Sequence, residues 1–153
     1  MKILISSYTG LGNFILKTPL IKAIHEAYSD CQVDLLFGKP WGAENVLKNS
    51  SLINMQYWLT PSASFLEKRK IFKELQKNKY DLVILPFDSS PLFILLLSRF
   101  YLKKSSIVSH FNPYNPSLIN RVKTSLNLIL FKINWVSVIN GRHEIDLNLD
   151  LLQ

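Results

Sequence analysis

The chain has 153 residues, of which 48% are hydrophobic; this length fits one domain with its own core, and this composition excludes a disordered chain. A single cysteine, Cys31, excludes an internal disulfide, and the lack of a secretory signal favours a reducing, cytoplasmic setting. The formal net charge of +7 arises between Ser89 and His143, a stretch without Asp or Glu, which favours an anionic partner or a solvated basic face about equally.

The cations of this basic stretch are Arg99, Lys103, Lys104, Arg121, Lys123, Lys132 and Arg142. Arg99 interrupts the apolar segment 91–102, and three of the other cations interrupt the segment 118–139. Neither segment therefore offers the roughly 20 uncharged residues that a membrane-spanning helix needs. Few aromatic residues lie among the cations, so binding to nucleic acid is not expected.

Strands and helices alternate along the sequence, which predicts an α/β fold with a parallel sheet. The predicted strands, in chain order, are 2–7, 32–37, 53–58, 80–87 and 106–109. The predicted helices are 13–29, 43–48, 64–78, one that starts at 88–91, and 119–134. Pro19 lies inside the first helix and is expected to kink it near Ile15.

The helix predicted over 119–134 has apolar residues on both sides. One face, expected to pack on the sheet, carries Ile119, Val122, Leu126, Ile129, Leu130 and Ile133. Leu128 and Phe131 lie on the other side, among Arg121, Thr124 and Lys132. Two interpretations stay open: a second contact with a membrane or a partner domain, or two scattered exposed apolar residues, which we slightly favour.

The most informative segment is Y-T-G-L-G-N at 8–13, which joins the first strand to the first helix. A glycine turn in this setting favours a site for an anion or a sugar, because its N–H groups point outward and glycine permits close approach. A dinucleotide-binding fingerprint is a weak match, because Ile15 replaces the third glycine and the second strand ends Phe37-Gly38-Lys39 without an acid. Asp34 lies inside that strand rather than at its tip.

An ordered set of motifs resembles the heptosyltransferase-like glycosyltransferases of family 9. The opening is similar in three places: K-I-L-I at 2–5, G-L-G-N at 10–13 and T-P-L-I-K-A-I at 18–24. Later matches are V-D-L-L at 33–36, K-Y-D-L-V-I at 79–84, and H-E followed by N-L-D-L-L within 143–152.

The resemblance implies a Rossmann-like parallel sheet with helices on both faces, as in the N-terminal half of a GT-B glycosyltransferase. Residues 1–153 would form one acceptor-side domain, and a C-terminal domain, expected to be absent from this chain, would hold the nucleotide-sugar donor. The completed protein would be an inverting enzyme, and the isolated chain is expected to be inactive. No cofactor is implied, and no metal site is predicted because no second histidine follows His143-Glu144 at metal-binding spacing.

Position 13 matches the catalytic position of the family, but its residue, Asn13, makes a catalytic role doubtful. Family members with aspartate in the L-G-[DN] turn use it as the general base, as the resemblance implies, but Asn13 cannot accept a proton at neutral pH. Three options follow: an inactive domain, a different base, or a reaction that depends on positioning and charge. Asp88 and His110 are candidate bases at strand ends, although we favour a helix cap and a loop histidine as their roles.

The resemblance also suggests a role for the basic stretch between Ser89 and His143. The family's acceptors are anionic lipopolysaccharide core sugars at the inner face of the cytoplasmic membrane, and basic side chains would bind such sugars. The expected substrate-binding residues are Thr9, Gly10, Leu11, Gly12, His110 and Arg121. Basic side chains could bind an anionic glycan, a glycolipid or an anionic membrane surface. The alternative is a non-catalytic, membrane-associated or binding module that retained the fold.

Overall fold

The computed structural model describes residues 1–38, 42, 45, 50–86, 91–130 and 133–152. Its helices are α1 (Leu11–Ile15), α2 (Thr18–Ala27), α3 (Phe65–Lys77), α4 (Leu92–Tyr101), α5 (Leu118–Leu130) and α6 (Glu144–Asp150). Its strands are β1 (Lys2–Ser7), β2 (Gln32–Phe37), β3 (Met55–Trp58), β4 (Leu82–Leu85), β5 (Ser106–Phe111) and β6 (Asn134–Ser137). The predicted helix at 43–48 lies outside the described residues apart from Asn45.

The described strands form one parallel sheet in the order β3-β2-β1-β4-β5-β6. One apolar cluster holds Phe72 of α3, Leu95 of α4 and Leu128 of α5. A second cluster holds Phe14 of α1 and Ile24 of α2, together with residues that follow α6. The clusters cover opposite faces, which confirms the Rossmann-like sheet with helices on both faces that the resemblance implied.

Pro19 divides the first predicted helix, as its position indicated. Helix α1 ends at Ile15 and α2 begins at Thr18, with Pro19 in its first turn. Proline is tolerated there because the first N–H groups of a helix have no internal partner. Helix α1 begins at Leu11, two residues earlier than predicted, so Asn13 lies inside the first turn rather than at its start.

The sequence prediction was wrong about which face of α5 packs on the sheet. Leu128, expected on the outer side, is 1% exposed and belongs to the core, whereas Ile119 is 66% and Ile129 60% exposed. Periodicity fixes the angle of an apolar stripe, but it does not say which side of the helix docks. The helix docks through the side that holds Arg121, Thr124 and Leu128; Phe131 lies outside the described residues.

The segment 134–137 forms β6 on the edge of the sheet, although the sequence pattern placed position 134 in a helix and predicted no sixth strand. Its side chains are mostly exposed, so the segment lacks the apolar run that marks a buried parallel strand. Pairing with β5, in which His110 lies opposite Val136, fixes its conformation instead.

Asp34 is buried within β2, as its place inside the strand suggested, and it accepts hydrogen bonds from two other side chains. The Tyr80 hydroxyl donates to Asp34 Oδ2 at 2.6 Å, and Asn54 Nδ2 donates to Oδ1 at 2.9 Å. Burial, followed by the hydrogen bond to Asp34, raises the pKa of Tyr80. The V-D-L-L and K-Y-D-L-V-I motifs therefore meet in the core rather than in a binding site.

Candidate functional site

Two groups of predicted site residues lie where the parallel strands end. The glycine turn follows β1, and His110 is the fifth residue of β5. Strand β4 pairs with both β1 and β5 and so lies between the two groups. Asp88, the candidate base beyond β4, lies outside the described residues.

The glycine turn leaves open space at both glycines. A Cβ atom at Gly10 or Gly12 would meet nothing within 4 Å beyond its chain neighbours and the backbone of its own helix, and neither residue has a positive φ. Packing and backbone conformation therefore do not require glycine at either position, which suits the close approach of a ligand. Gly38 is different, because a Cβ there would collide with the Tyr8 carbonyl.

The Asn13 side chain is directed back to the turn. Its Nδ2 donates to Thr9 Oγ1 at 2.9 Å, and the helix cap is formed by Gly10 without a side-chain hydrogen bond. Leu11 is half-buried and packs against the apolar cluster of α1 and α2. The turn thus presents backbone groups and the small polar residues Thr9 and Asn13, with no proton acceptor at position 13.

A buried lysine lies directly behind the turn, and the sequence patterns did not single it out. Lys17 is fully buried, its Nζ donates to the Asn13 carbonyl at 3.0 Å, and it lies 3.9 Å from Glu144 Oε1. An ammonium group is rarely buried without a charged partner. The ion pair therefore joins the glycine turn to α6.

His110 and Arg121 line one pocket of about 150 Å³ with Asn112, Asn115, Asn120 and Thr124. Arg121 Nη1 donates to the Pro113 carbonyl at 3.1 Å, while its buried Nε has no hydrogen-bond partner among the described residues. A guanidinium among amides and hydroxyls suits an anionic, hydroxyl-rich ligand. Residues of the glycine turn do not line this pocket.

The histidine is better described as structural than as a base. His110 is 3% exposed, and its Nε2 lies 2.8 Å from the Leu147 carbonyl. Since a carbonyl only accepts, Nε2 carries the hydrogen in this bond. Asn148 Nδ2 donates to the Leu16 carbonyl at 3.5 Å. Helix α6 therefore contacts His110 and also Leu16 and Lys17, which follow the glycine turn.

His143 caps α6, since its Nδ1 accepts from the Ile145 N–H at 3.2 Å.

Among the residues that the structure describes, no three His, Cys, Asp or Glu side chains are grouped so that they could hold a metal ion. In the same residues no helix has the length and apolar character to cross a membrane.

No family model and no curated protein matches the chain. Its fold is similar to solved structures. A glycosyl transferase family 9 protein from Veillonella parvula gives a TM-score of 0.72 at 17% identity, over 99% of this chain and 40% of that one. The E. coli heptosyltransferase WaaC, solved with ADP-2-deoxy-2-fluoro heptose, gives 0.67 at 13% identity, over 99% and 47%. A putative UDP-N-acetylglucosamine 2-epimerase from Listeria monocytogenes gives 0.57 at 13% identity, over 97% and 41%.

The chain spans less than half the length of each of these three proteins. The TM-scores establish a shared fold, whereas identities this low leave the reaction open, as the putative epimerase among the three illustrates. The chain therefore has the Rossmann-like α/β fold found in family 9 glycosyltransferases and heptosyltransferases, as the resemblance of its motifs predicted.

Proposed function

We propose that this chain is the acceptor-binding half of a heptosyltransferase-like glycosyltransferase. The observation that carries the proposal is the pocket in which Arg121 lies among Asn112, Asn120 and Thr124 at the carboxyl ends of the strands. Open α/β sheets bind ligands at this edge. The acceptor would be a lipopolysaccharide core sugar or another anionic cell-surface glycan, met at the inner face of the cytoplasmic membrane.

The donor nucleotide-sugar would be held by a second domain across the cleft. The chain corresponds to less than half of the similar glycosyltransferases, and the structure of WaaC contains an ADP-sugar analogue. Transfer with inversion would let an acceptor hydroxyl attack the donor sugar carbon as the nucleotide leaves, while a base takes the hydroxyl proton. Asn13 cannot take it, so the base is either elsewhere or missing.

A non-catalytic binding module is the second candidate, and Asn13 is the observation that favours it. Its amide donates to Thr9 at the position of the family base. A positioned base typically contributes about 10²–10⁴-fold in rate. A domain that lost its base could keep the acceptor pocket unchanged, because Arg121 and the asparagines do not depend on position 13.

Calorimetric titration of the chain distinguishes an acceptor half from a donor half. We expect glucose 6-phosphate, used as an anionic sugar probe, to bind more tightly than glucose, because of Arg121. We expect an ADP-sugar to bind no better than glucose 6-phosphate, because the pocket would recognise the anionic sugar and not the nucleotide. Preferential binding of the ADP-sugar would contradict the proposal and assign this domain to the donor.

A further inference from the structure

Helix α5 carries a broad apolar face that points away from the sheet. At about 100° per residue, its exposed apolar residues fall within one arc of about 120°: Leu118, Ile119, Val122, Leu126, Ile129 and Leu130. Each of the six is between 49% and 71% exposed. The docked side, with Arg121, Thr124 and Leu128, lies opposite.

The apolar surface extends beyond the helix. Phe111 and Pro113, which precede α5, form a shallow groove with Leu118, Val122 and Leu126. A monomeric soluble protein rarely exposes so many adjoining apolar side chains, and such patches mark sites of interaction. We therefore expect this apolar face to bind another surface.

The charge around the apolar face indicates which kind of surface it binds. Lys123 is exposed and borders the apolar arc, and the sequence has no Asp or Glu from Ser89 to His143. A second copy of the chain would bring two basic surfaces together, which is unfavourable. The helical part of the face is also aliphatic, whereas protein interfaces are enriched in aromatic residues, Met and Arg.

We propose that α5 lies flat on a membrane surface rich in acidic lipids, with Val122, Leu126 and Ile129 inserted among the lipids and Lys123 at the headgroups. This geometry is that of an interfacial amphipathic helix. Because Arg121 and Thr124 of the same helix line the pocket, a glycolipid in that membrane would present its sugar beside the pocket. This last step rests on the proposed function.

Vesicle co-sedimentation without any glycan tests the surface independently of the pocket. Vesicles of phosphatidylglycerol and phosphatidylcholine in equal parts are compared with pure phosphatidylcholine. We expect the wild type to prefer the acidic vesicles, and Val122→Ser/Leu126→Ser/Ile129→Ser to reduce this binding at least about tenfold. Circular dichroism checks folding, which these exposed positions should not affect.

A matched control replaces three other exposed apolar residues, Phe65, Leu66 and Phe100, with serine. Phe65 and Phe100 line a groove between α3 and α4 that also holds Arg69 and Lys73, so this region is the strongest rival surface. We expect this variant to lose less than about twofold of the binding. The proposal is overturned if the control variant loses binding and the α5 variant keeps it, or if the wild type ignores acidic vesicles.

A last outcome concerns self-association. If the wild type elutes as a dimer on size exclusion and the α5 variant as a monomer, the face joins two copies of the chain, and the membrane proposal is wrong. Failure of sugar binding in the pocket would contradict the proposed function alone, since the vesicles carry no sugar acceptor.

Discussion

Lys17 Nζ lies 3.9 Å from Glu144 Oε1, and this pair joins the end of the glycine turn to the last described helix. Lys17 is fully buried, while the Glu144 side chain is 24% exposed. The same ammonium donates to the Asn13 carbonyl. The position of the turn therefore depends on an ion pair whose partners are far apart in sequence.

Removal of one partner of the pair should destabilise the fold more than removal of both. We expect Glu144→Gln to lower the free energy of unfolding by about 2–4 kcal/mol, because it leaves a buried ammonium without its countercharge. The double variant Lys17→Met/Glu144→Gln should recover much of this loss. Urea denaturation measures both values; additive losses would show that the two side chains do not interact.

The buried network at Asp34 gives a second prediction. Tyr80→Phe removes the hydroxyl that donates to Asp34 Oδ2 and leaves a buried carboxylate oxygen short of a partner. We expect a loss of about 1–3 kcal/mol in the free energy of unfolding. Tyr101→Phe, which keeps the ring of a half-buried tyrosine outside this network, is the control. Equal losses in both variants would contradict the role of Asp34.

The capping box of α3 predicts a pH dependence of stability. The Ser64 N–H donates to Glu67 Oε2, and the Glu67 N–H donates to Ser64 Oγ. Hydrogen bonding of the Glu67 carboxyl group to Ser64, first to its side chain and then to its backbone N–H, lowers the pKa of Glu67. A lowered pKa adds stability above the unfolded pKa, which is lost as the pH falls through the folded pKa. We expect Glu67→Gln to lower the melting temperature at pH 7 but not at pH 2, and a loss of equal size at both would contradict this.

The sequence predicted the order of strands and helices well where local signals were strong. The kink expected near Ile15 from Pro19 corresponds to the break between α1 and α2, and the helix predicted over 64–78 corresponds to α3. Strand β6 was missed because an exposed edge strand has no apolar run, and its conformation depends on pairing with β5. The docked side of α5 was assigned wrongly, because the more apolar side of that helix faces outward.

The sequence named several residues of the candidate site but did not predict which of them lie together. His110 and Arg121 were both named, and the structure places them in one pocket. Lys17 gave no signal, because a lysine in a helical segment normally lies at the surface. Glu144 was noticed in the H-E motif of the resemblance and as half of a metal motif that fails, but not as a partner of Lys17. Its contact with Lys17 spans more than a hundred residues, and no local pattern reveals such a contact.

Position 13 gives a prediction about rate in a full-length enzyme that contains this domain. We expect residues 1–153 alone to transfer no sugar, and Asn13→Asp in the full-length protein to raise the transfer rate by about 10²-fold or more. Thr9 Oγ1, which now accepts from Asn13, can donate to a carboxylate instead, so the replacement should fit. An unchanged rate, measured with saturating donor, would place the base elsewhere.

The most direct test of the central claim is a titration of ¹⁵N-labelled chain with glucose 6-phosphate, followed by NMR. We predict that the largest shifts occur at the amides of Asn112, Asn120 and Arg121, and that Arg121→Gln weakens binding about tenfold or more. Arg99→Gln, outside the pocket, should leave the affinity unchanged. Shifts confined to the α3–α4 groove, or equal affinity in wild type and Arg121→Gln, would contradict an acceptor site in this pocket.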